Sequence, residues 1–408
     1  MLEKISMSSS SRTPVGGSEL WKALKSRKGS VLAPLTILKF DHFPGCHRMS
    51  LPQRIDGAPN FRGIAMPTIP GQGRNIYGVA MPTAEAIKAI SGHLIAEGRR
   101  LSWVCLREEP VIYVNGRPFV LRIVRDPNEN VAMTGIDPER VELLEQRLQE
   151  DVMREAVSNN DTIMLHEEGP DSSLVPVWET CESVKTMSQV FSTYQEMGVR
   201  YYRFPITDEQ APNPQVFDAI ANLMETSEDV IFNCQMGRGR TSTGMIVATI
   251  VTCIRYQHQL TPPLTPKQIN GAEDSSEKYI AGEYRLIMQL TQMLPNGRKS
   301  KQITDRAIDL CSHLQNIREA IYAFKQRLDH PVHAKPEEQE FFREQGVNYL
   351  LRYFYLICFS EYYLQAAQED GDREQHSQMS FETWLGERRE IVNLVSTLLS
   401  KKGNVQLI

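Results

Sequence analysis

Residues 230–247 read VIFNCQMGRGRTSTGMIV, and this stretch decides how the rest of the chain is interpreted. An apolar run ends at Cys234, Arg240 follows after five intervening residues, and an apolar segment begins soon afterwards. The pattern predicts a strand, a loop and a helix. Gly237 and Gly239 let the loop backbone curl, so that its N–H groups converge at the start of the helix, where anions bind. The stretch therefore predicts an anion-binding loop with a cysteine at its base.

The loop also contains the groups that phosphoryl transfer to sulfur requires. A thiol at a helix N-terminus beside an arginine can become a thiolate nucleophile, and Cys234 has that position. The planar guanidinium of Arg240 suits two phosphate oxygens, and the hydroxyl of Thr241 can reach the sulfur of Cys234. We predict that these three residues are catalytic. The loop residues predicted to surround the bound phosphate are Gln235, Met236, Gly237, Arg238 and Gly239.

The structural alternative for Cys234 is a buried cysteine at the end of a core strand, a common position for this residue type. The spacing between Cys234 and Arg240 is weak evidence by itself, because it often arises by chance. None of the other cysteines, however, has an arginine six positions later. The loop glycines, the arginine and the threonine together favour the catalytic interpretation.

The loop is the signature of the cysteine-dependent phosphatases. The wider sequence resembles the paladin family and its relatives, the protein-tyrosine-phosphatase-like (PTP-like) inositol polyphosphatases, or cysteine phytases. The resemblance extends over about residues 29–256 and continues more loosely beyond them. Besides the loop, it rests on residues 41–45 (DHFPG), 58–62 (APNFR), 106–110 (LREEP), the turn at residues 115–116 (NG) and residues 207–212 (TDEQAP). These motifs follow the order found in the family.

The resemblance implies that three further side chains lie beside the pocket. By this resemblance, Arg62, Arg107 and Glu108 are expected to bind substrate. The alternative for Arg62 is a structural salt bridge. The alternative for Arg107 and Glu108 is an ion-paired strand end. The residues themselves leave these alternatives open.

Cleavage of a phosphomonoester requires a proton for the departing alkoxide. In the phosphatases that the sequence resembles, an acid on a mobile loop before the nucleophile strand supplies it, and Asp208 matches that acid. Glu209 is the second candidate. The structural alternative for Asp208 is a solvated turn before the helix that begins at Asn213-Pro214. The expected reaction proceeds through a cysteinyl phosphate and needs no metal or other cofactor.

A chain of 408 residues is long enough for two structural units. We predict an α/β fold in which a PTP-like phosphatase domain, with a central mixed sheet flanked by helices, precedes an all-α helical region. The predicted boundaries are a flexible tail at residues 1–28, the phosphatase domain at 29–258, a linker at 259–276 and the helical domain at 277–408. Amphipathic patterns in the last region cover residues 279–294, 304–328, 337–367 and 380–399.

Composition narrows the classes of function. The formal net charge of −5 argues against a nucleic-acid-binding protein that relies on a global basic field. Seven cysteines without paired spacing, and no N-terminal apolar run, predict free thiols and a cytoplasmic protein. The most apolar stretch, residues 353–359, is too short to span a bilayer, so no transmembrane segment is expected. The helical region is expected to pack on the phosphatase domain or on a protein partner.

Arg238 adds a second cation to the loop. A substrate with several neighbouring phosphates benefits from several cations, so the predicted substrate is an inositol polyphosphate or a phosphoinositide. Arg62, Arg107 and Arg203 are the other candidate cations at the rim. The alternative for Arg238 is a side chain that only faces solvent. The alternative for the substrate is a phosphoprotein, which would make the chain a protein tyrosine or dual-specificity phosphatase.

The residue before the cysteine departs from the family pattern. Most members with demonstrated phosphatase chemistry have a histidine there, whereas this chain has Asn233. An asparagine can order a loop by hydrogen bonds but brings no charge. The alternative function is therefore a weak or inactive pseudophosphatase that binds inositol phosphates or phosphoproteins as a scaffold. Because paladins usually carry tandem phosphatase repeats, one interpretation of the end near residues 384–408 is a truncation before another repeat.

Overall fold

A computed structural model describes the protein over residues 30–32, 35–48, 51, 53–64, 75–95, 100–227, 229–255, 275–330, 335–369 and 379–400. The predicted tail at residues 1–28 and nearly all of the predicted linker at 259–276 lie outside these residues. Within them, a region rich in strands precedes a helical one, and the predicted α/β fold with a helical region after it is confirmed.

The strands are β1 (Thr36–Phe40), β2 (Arg62–Ile64), β3 (Asn75–Val79), β4 (Leu101–Arg107), β5 (Val111–Val114), β6 (Arg117–Ile123), β7 (Thr162–Glu168), β8 (Leu174–Thr180), β9 (Val184–Thr186), β10 (Val199–Ile206) and β11 (Asp229–Asn233). The helices are α1 (Ala84–Ile95), α2 (Pro138–Ser158), α3 (Met187–Ser192), α4 (Pro214–Thr226), α5 (Gly239–Arg255), α6 (Ser275–Ile280), α7 (Arg285–Met293), α8 (Gly297–Leu310), α9 (Ile317–Asp329), α10 (Pro336–Glu369), α11 (Phe381–Gly386) and α12 (Arg389–Leu399).

The described strands form two sheets, one of six strands and one of five. The six-stranded sheet has the order β8-β7-β1-β6-β5-β9. Its pairs are antiparallel except β1 with β7. Asn115 and Gly116 join β5 to β6 with φ values of 49° and 78°, the left-handed geometry that an Asn-Gly hairpin turn uses. This hairpin pairs with β1 and β9, so it builds a separate mixed sheet.

The five-stranded sheet determines where the predicted phosphate-binding loop, residues 234–240, lies. Its order is β10-β4-β11-β3-β2, and the pairs β10-β4, β4-β11 and β11-β3 are parallel. Asn233, the last residue of β11, is in register with Val79 of β3 and Cys105 of β4. Because the carboxyl ends of parallel strands share one edge, the segments that follow β3, β4, β10 and β11 meet there.

The chain divides into two compact units. The first comprises Met1–Gly63, Arg74–Asp208 and Ser227–Thr241, and the second comprises Ile64–Gly73, Glu209–Thr226 and Ser242–Ile408. All of the predicted catalytic residues belong to the first unit. The second unit includes α4 and most of α5 as well as the later helices, so it extends beyond residues 277–408. The domain boundaries given above remain a prediction.

Buried charged residues on α10 connect elements of the second unit. Glu361 accepts hydrogen bonds from the backbone N–H of Asn296 (3.1 Å) and from Oγ of Ser300 (2.7 Å). Arg352 donates to the carbonyl oxygen of Gln210 (2.8 Å) and is only 1% exposed. Such bonds are needed because a buried charge without partners is strongly destabilising. None of the described helices is long and apolar enough to cross a membrane.

Arg203 joins α2 to the end of β4 in the first unit. Its Nη1 donates to Oε1 of Glu145 (2.7 Å), and its Nε and Nη2 donate to the carbonyl oxygens of Arg107 (3.1 Å) and Glu109 (3.0 Å). Glu145 is fully buried and also accepts the backbone N–H of Val111 (2.9 Å). Arg203 is only 5% exposed, so it is a structural residue and not a cation at the rim.

Replacing Arg203 should destabilise the first unit. Arg203→Met removes the cation from the buried Glu145 carboxylate, so we expect the free energy of unfolding to fall by about 3 kcal/mol. Adding Glu145→Gln removes the unpaired charge and should recover part of this loss. The exposed Arg200 lies on the same strand, and Arg200→Met should change stability by only about 0.5 kcal/mol. Urea unfolding measures all of these; equal effects of the two arginine substitutions would contradict the assignment.

Candidate active site

The predicted nucleophile lies directly after β11, at the start of helix α5. Cys234 is 3% exposed, and its Sγ accepts a hydrogen bond from Oγ1 of Thr241 at 3.1 Å. The helix begins at Gly239, so Thr241 is in its first turn. The sequence order strand, cysteine, loop and hydroxyl residue thus brings a thiol and a hydroxyl donor together at a helix N-terminus.

The loop packs tightly against the end of β3. Gly237 has a φ of 67°, and a Cβ atom at this position would lie 2.5 Å from the backbone nitrogen of Ala80. Only glycine fits here, because the neighbour is backbone and the conformation is left-handed. The carbonyl oxygen of Gln235 accepts the backbone N–H of Met81 at 3.0 Å. Gln235, Met236, Arg238 and Gly239 are each partly exposed.

Asn60 binds the loop from the other side. Its Nδ2 donates to the carbonyl oxygens of Met236 (2.8 Å) and Cys46 (2.9 Å), and its Oδ1 accepts the backbone N–H of Arg48 (2.8 Å). Asn60 is fully buried and has a φ of 62°, a conformation that asparagine adopts more readily than most residues. The segment at residues 46–48 is therefore attached to the predicted phosphate-binding loop. The motif APNFR contained this residue, but its role could not be deduced from the sequence.

Arg240 is held by a carboxylate that the sequence reasoning did not single out. Its Nη1 lies 2.9 and 3.0 Å from the two carboxylate oxygens of Glu109, and 3.3 Å from the carbonyl oxygen of Ile206. Both Arg240 and Glu109 are buried. Glu109 could have been suspected, because a buried arginine needs a carboxylate and Glu109 follows β4, the neighbour of β11.

Arg107 belongs to the same ion-pair network. Its Nε donates to Oε2 of Glu109 (3.0 Å) and its Nη1 to Oδ2 of Asp41 (2.5 Å). The side chains of all three residues are 0% exposed. This placement corresponds to the ion-paired strand end and does not support a direct contact between Arg107 and a substrate.

The other two side chains expected beside the pocket are also buried. Arg62 is 3% exposed, and its Nη1 donates to the carbonyl oxygen of Asn60 at 3.1 Å. Glu108 is 1% exposed, and its Oε2 accepts the hydroxyl of Thr207 at 2.8 Å. Both lie next to residues of the site, and their substrate-binding role remains a prediction.

The two adjacent glutamates titrate in opposite directions. Burial, with the neighbouring charge of Glu109, raises the pKa of Glu108 to about 7. Burial also acts to raise the pKa of Glu109, but Arg240 and Arg107 outweigh it and lower that pKa to about 2. At neutral pH Glu109 is therefore ionised, whereas Glu108 is partly protonated. Glu109 is the permanent anion that holds the arginines.

Asp208, the predicted general acid, lies beside Arg240. Its Oδ1 is 3.3 Å from Nε of Arg240, and its Oδ2 accepts a hydrogen bond from Nδ2 of Asn130 at 2.5 Å. The side chain is 39% exposed. Glu209, the second candidate, is bound elsewhere: its Oε2 accepts Nε2 of Gln345 at 2.6 Å. The geometry therefore favours Asp208 over Glu209 as the acid.

Arg48 and Arg238 are neighbouring cations at the loop. Burial and the charge of Arg48 both lower the pKa of Arg238. Arg48 is exposed and Arg238 is partly exposed. Within the described residues, Nε of Arg238 has no hydrogen-bond partner. Two neighbouring cations of this kind attract an anion.

The side-chain amide of Asn233 contacts core residues. Its Oδ1 accepts Nε1 of Trp103 at 3.1 Å, and its Nδ2 lies 3.4 Å from the sulfur of Met81 and 3.7 Å from that of Cys105. Asn233 is fully buried. Its side chain therefore secures the end of β11 and adds no charge beside Cys234.

Known proteins resemble this chain in sequence and in structure. Residues 104–252 match the model of the PTP-like phytase family, described as "Inositol hexakisphosphate". The chain is 28% identical to paladin of Xenopus tropicalis over 344 residues, which cover 80% of this chain and 36% of that protein. It is 29% identical to paladin of Homo sapiens over 371 residues, which cover 86% of this chain and 38% of that protein.

A solved structure, the PTP-like myo-inositol phosphatase from Mitsuokella multacida in complex with myo-inositol-(1,3,4,5)-tetrakisphosphate, has a TM-score of 0.49 and 14% sequence identity. It covers 88% of this chain and 49% of that one. The chain spans less than two-fifths of the length of the paladins it matches. The chain is similar in sequence to the paladins, and its residues 104–252 match the PTP-like phytase family model.

Proposed function

We propose that the chain is a cysteine-dependent phosphatase that cleaves inositol polyphosphates or phosphoinositides through a cysteinyl phosphate. The observation that carries this proposal is the hydrogen bond from Thr241 to the sulfur of Cys234, beside an Arg240 guanidinium that Glu109 holds in place. A sulfur atom that accepts this hydrogen bond, next to a fixed cation and loop N–H groups, suits in-line attack on a phosphate ester.

The reaction follows from these positions. The thiolate of Cys234 attacks phosphorus, the bond to the departing oxygen breaks, and that oxygen takes the proton of Asp208. Arg240 and the loop N–H groups stabilise the charge on the phosphoryl oxygens during transfer. A water molecule then attacks the cysteinyl phosphate, its proton passes to Asp208, and the thiolate is released.

The preference for an inositol polyphosphate rests on charge and on the family match. The description of the matching family model names inositol hexakisphosphate. Arg238 and Arg48 lie together at the loop, where they can bind a phosphate next to the one being cleaved. Substrates with a single phosphate would leave these cations without a ligand.

A second candidate function is phosphate-dependent binding without turnover. It is favoured by Asn233, whose amide faces the core and places no charge beside the neighbouring cysteine. The same loop would then hold an inositol phosphate or a phosphoprotein as a scaffold. A protein tyrosine or dual-specificity phosphatase keeps the chemistry and changes the substrate. Catalytic turnover on a panel of substrates distinguishes the three.

Cys234→Ser should abolish phosphate release, because the serine hydroxyl is a much weaker nucleophile here. Asp208→Asn should lower release from inositol substrates about 100-fold, since the departing oxygen loses its proton donor. Cys181→Ser, at a partly exposed cysteine outside the site, is the matched control and should keep full activity. Phosphate release is measured from inositol polyphosphates, phosphoinositides and phosphotyrosine peptides. Tight binding without release from any of these would favour the scaffold function.

Arg238→Ala should affect polyphosphorylated substrates selectively. We expect KM for inositol hexakisphosphate to rise about tenfold, because a charge-assisted hydrogen bond to a neighbouring phosphate is lost. KM for a substrate with one phosphate should change little. Arg200→Ala, at an exposed arginine on β10, is the control. Equal increases for both substrates would assign Arg238 to the cleaved phosphate alone.

Binding should weaken as Glu108 ionises. As the pH rises through about 7, the Glu108 carboxylate adds a negative charge close to Arg240. Calorimetry with inositol hexakisphosphate between pH 6 and pH 8.5, on the Cys234→Ser protein, should therefore reveal a loss of affinity. In the Cys234→Ser/Glu108→Gln protein, the loss of affinity between pH 6 and pH 8.5 should be about tenfold smaller than in the Cys234→Ser protein. Parallel pH profiles for the two proteins would refute this role, since titration of the ligand affects both equally.

A further inference from the structure

Three side chains form a hydrogen-bonded row that ends on the predicted general acid. Arg122 of β6 donates through Nη1 to Oδ1 of Asn130 and to the carbonyl oxygen of Glu129 (2.8 Å). Nδ2 of Asn130 donates to Oδ2 of Asp208 at 2.5 Å. The other oxygen of Asp208, Oδ1, lies 3.3 Å from Nε of Arg240. The row and Arg240 all belong to the first compact unit.

Each hydrogen bond in this row has a fixed donor and a fixed acceptor. A guanidinium can only donate hydrogen bonds, so the amide oxygen of Asn130 must face Arg122 and its NH₂ group must face Asp208. An NH₂ group in turn can only donate, so Oδ2 of Asp208 serves as an acceptor. When Asp208 is protonated, its proton is therefore favoured on Oδ1. This is the oxygen beside Arg240 and hence beside a phosphate bound in the loop.

The burial of Arg122 keeps this hydrogen-bonded arrangement in place. Arg122 is 1% exposed, and burial together with the nearby charge of Arg107 lowers its pKa to about 10. Arg122 is therefore still a cation, and only a donor, at neutral pH. Asp208, by contrast, is 39% exposed and could rotate towards solvent without a tether. Asn130 thus links the exposed carboxyl group of Asp208 to Arg122 on the buried strand β6.

We propose that Asn130 is a positioning residue that fixes the side chain of Asp208 and directs its transferable proton to Oδ1. Arg122 keeps the amide of Asn130 in the donating orientation. This inference rests on the proposed phosphatase function and deepens it. It assigns a role to the loop between β6 and α2, which no motif in the sequence had indicated.

A comparison of substrates with different leaving groups tests whether the acid is correctly placed. An inositol oxygen departs as a poor leaving group and needs the proton of Asp208, whereas p-nitrophenolate leaves readily without one. A misplaced acid therefore slows cleavage of an inositol phosphate but not of p-nitrophenyl phosphate. General damage to the phosphate-binding loop slows both.

The experiment compares kcat and KM of the full chain on inositol hexakisphosphate and on p-nitrophenyl phosphate. Asn130→Leu removes the donor at similar volume, and Asn130→Asp removes it in an isosteric side chain. For both variants we expect kcat on the inositol substrate to fall about tenfold or more, with a change of about twofold or less on p-nitrophenyl phosphate. KM should change little.

Asn128→Leu is the matched control from the same loop. Asn128 is exposed, and its amide oxygen accepts Nζ of Lys39 (2.5 Å) instead of contacting the acid, so both rates should stay at the wild-type level. Equal losses on both substrates, or no loss on either, in a variant with wild-type thermal unfolding would overturn the role of Asn130. A wild-type protein that releases phosphate from neither substrate would overturn the proposed function, and this inference with it.

Discussion

The ion pair between Arg240 and Glu109 determines the geometry of the candidate site. With both oxygens of Glu109 on Nη1 of Arg240, the guanidinium cannot rotate freely, and its Nε lies 3.3 Å from Oδ1 of Asp208. Glu109 is held in turn by Arg107, and Arg107 by Asp41. Removing one partner of such a buried pair costs about 3–5 kcal/mol, because the remaining charge is left without compensation. The network therefore supports the fold and the loop at once.

The network contains three basic and three acidic side chains. Arg107, Arg240 and Arg122 are the basic ones, and Asp41, Glu109 and Asp208 are the acidic ones. In the proposed reaction an incoming phosphate competes with Asp208 for Nε of Arg240. Arrival of the substrate would thus separate Asp208 from this cation.

The sequence predicted local features better than distant pairings. The loop, with Cys234 at its base and Thr241 in the first turn of the helix, follows from glycine geometry and helix polarity, which act over a few residues. The burial of Arg107 did not follow, because its partner Asp41 lies 66 residues earlier and meets it only through the sheets. The predicted segment at residues 304–328 is two helices, because Asn316 caps α9 by accepting the N–H of Arg318 (3.0 Å). The network beside the loop is long-range, so pattern alone could not give it.

Asn60 has a consequence for the thermodynamics of ligand association. Because this one buried amide holds residues 46–48 and the carbonyl oxygen of Met236 at the same time, the loop has its shape before an anion arrives. An anion that enters a preorganised loop loses its own freedom of motion but does not have to order the backbone around it. Little of the interaction energy is then spent on ordering the loop backbone, so even a weakly bound oxyanion can be held there.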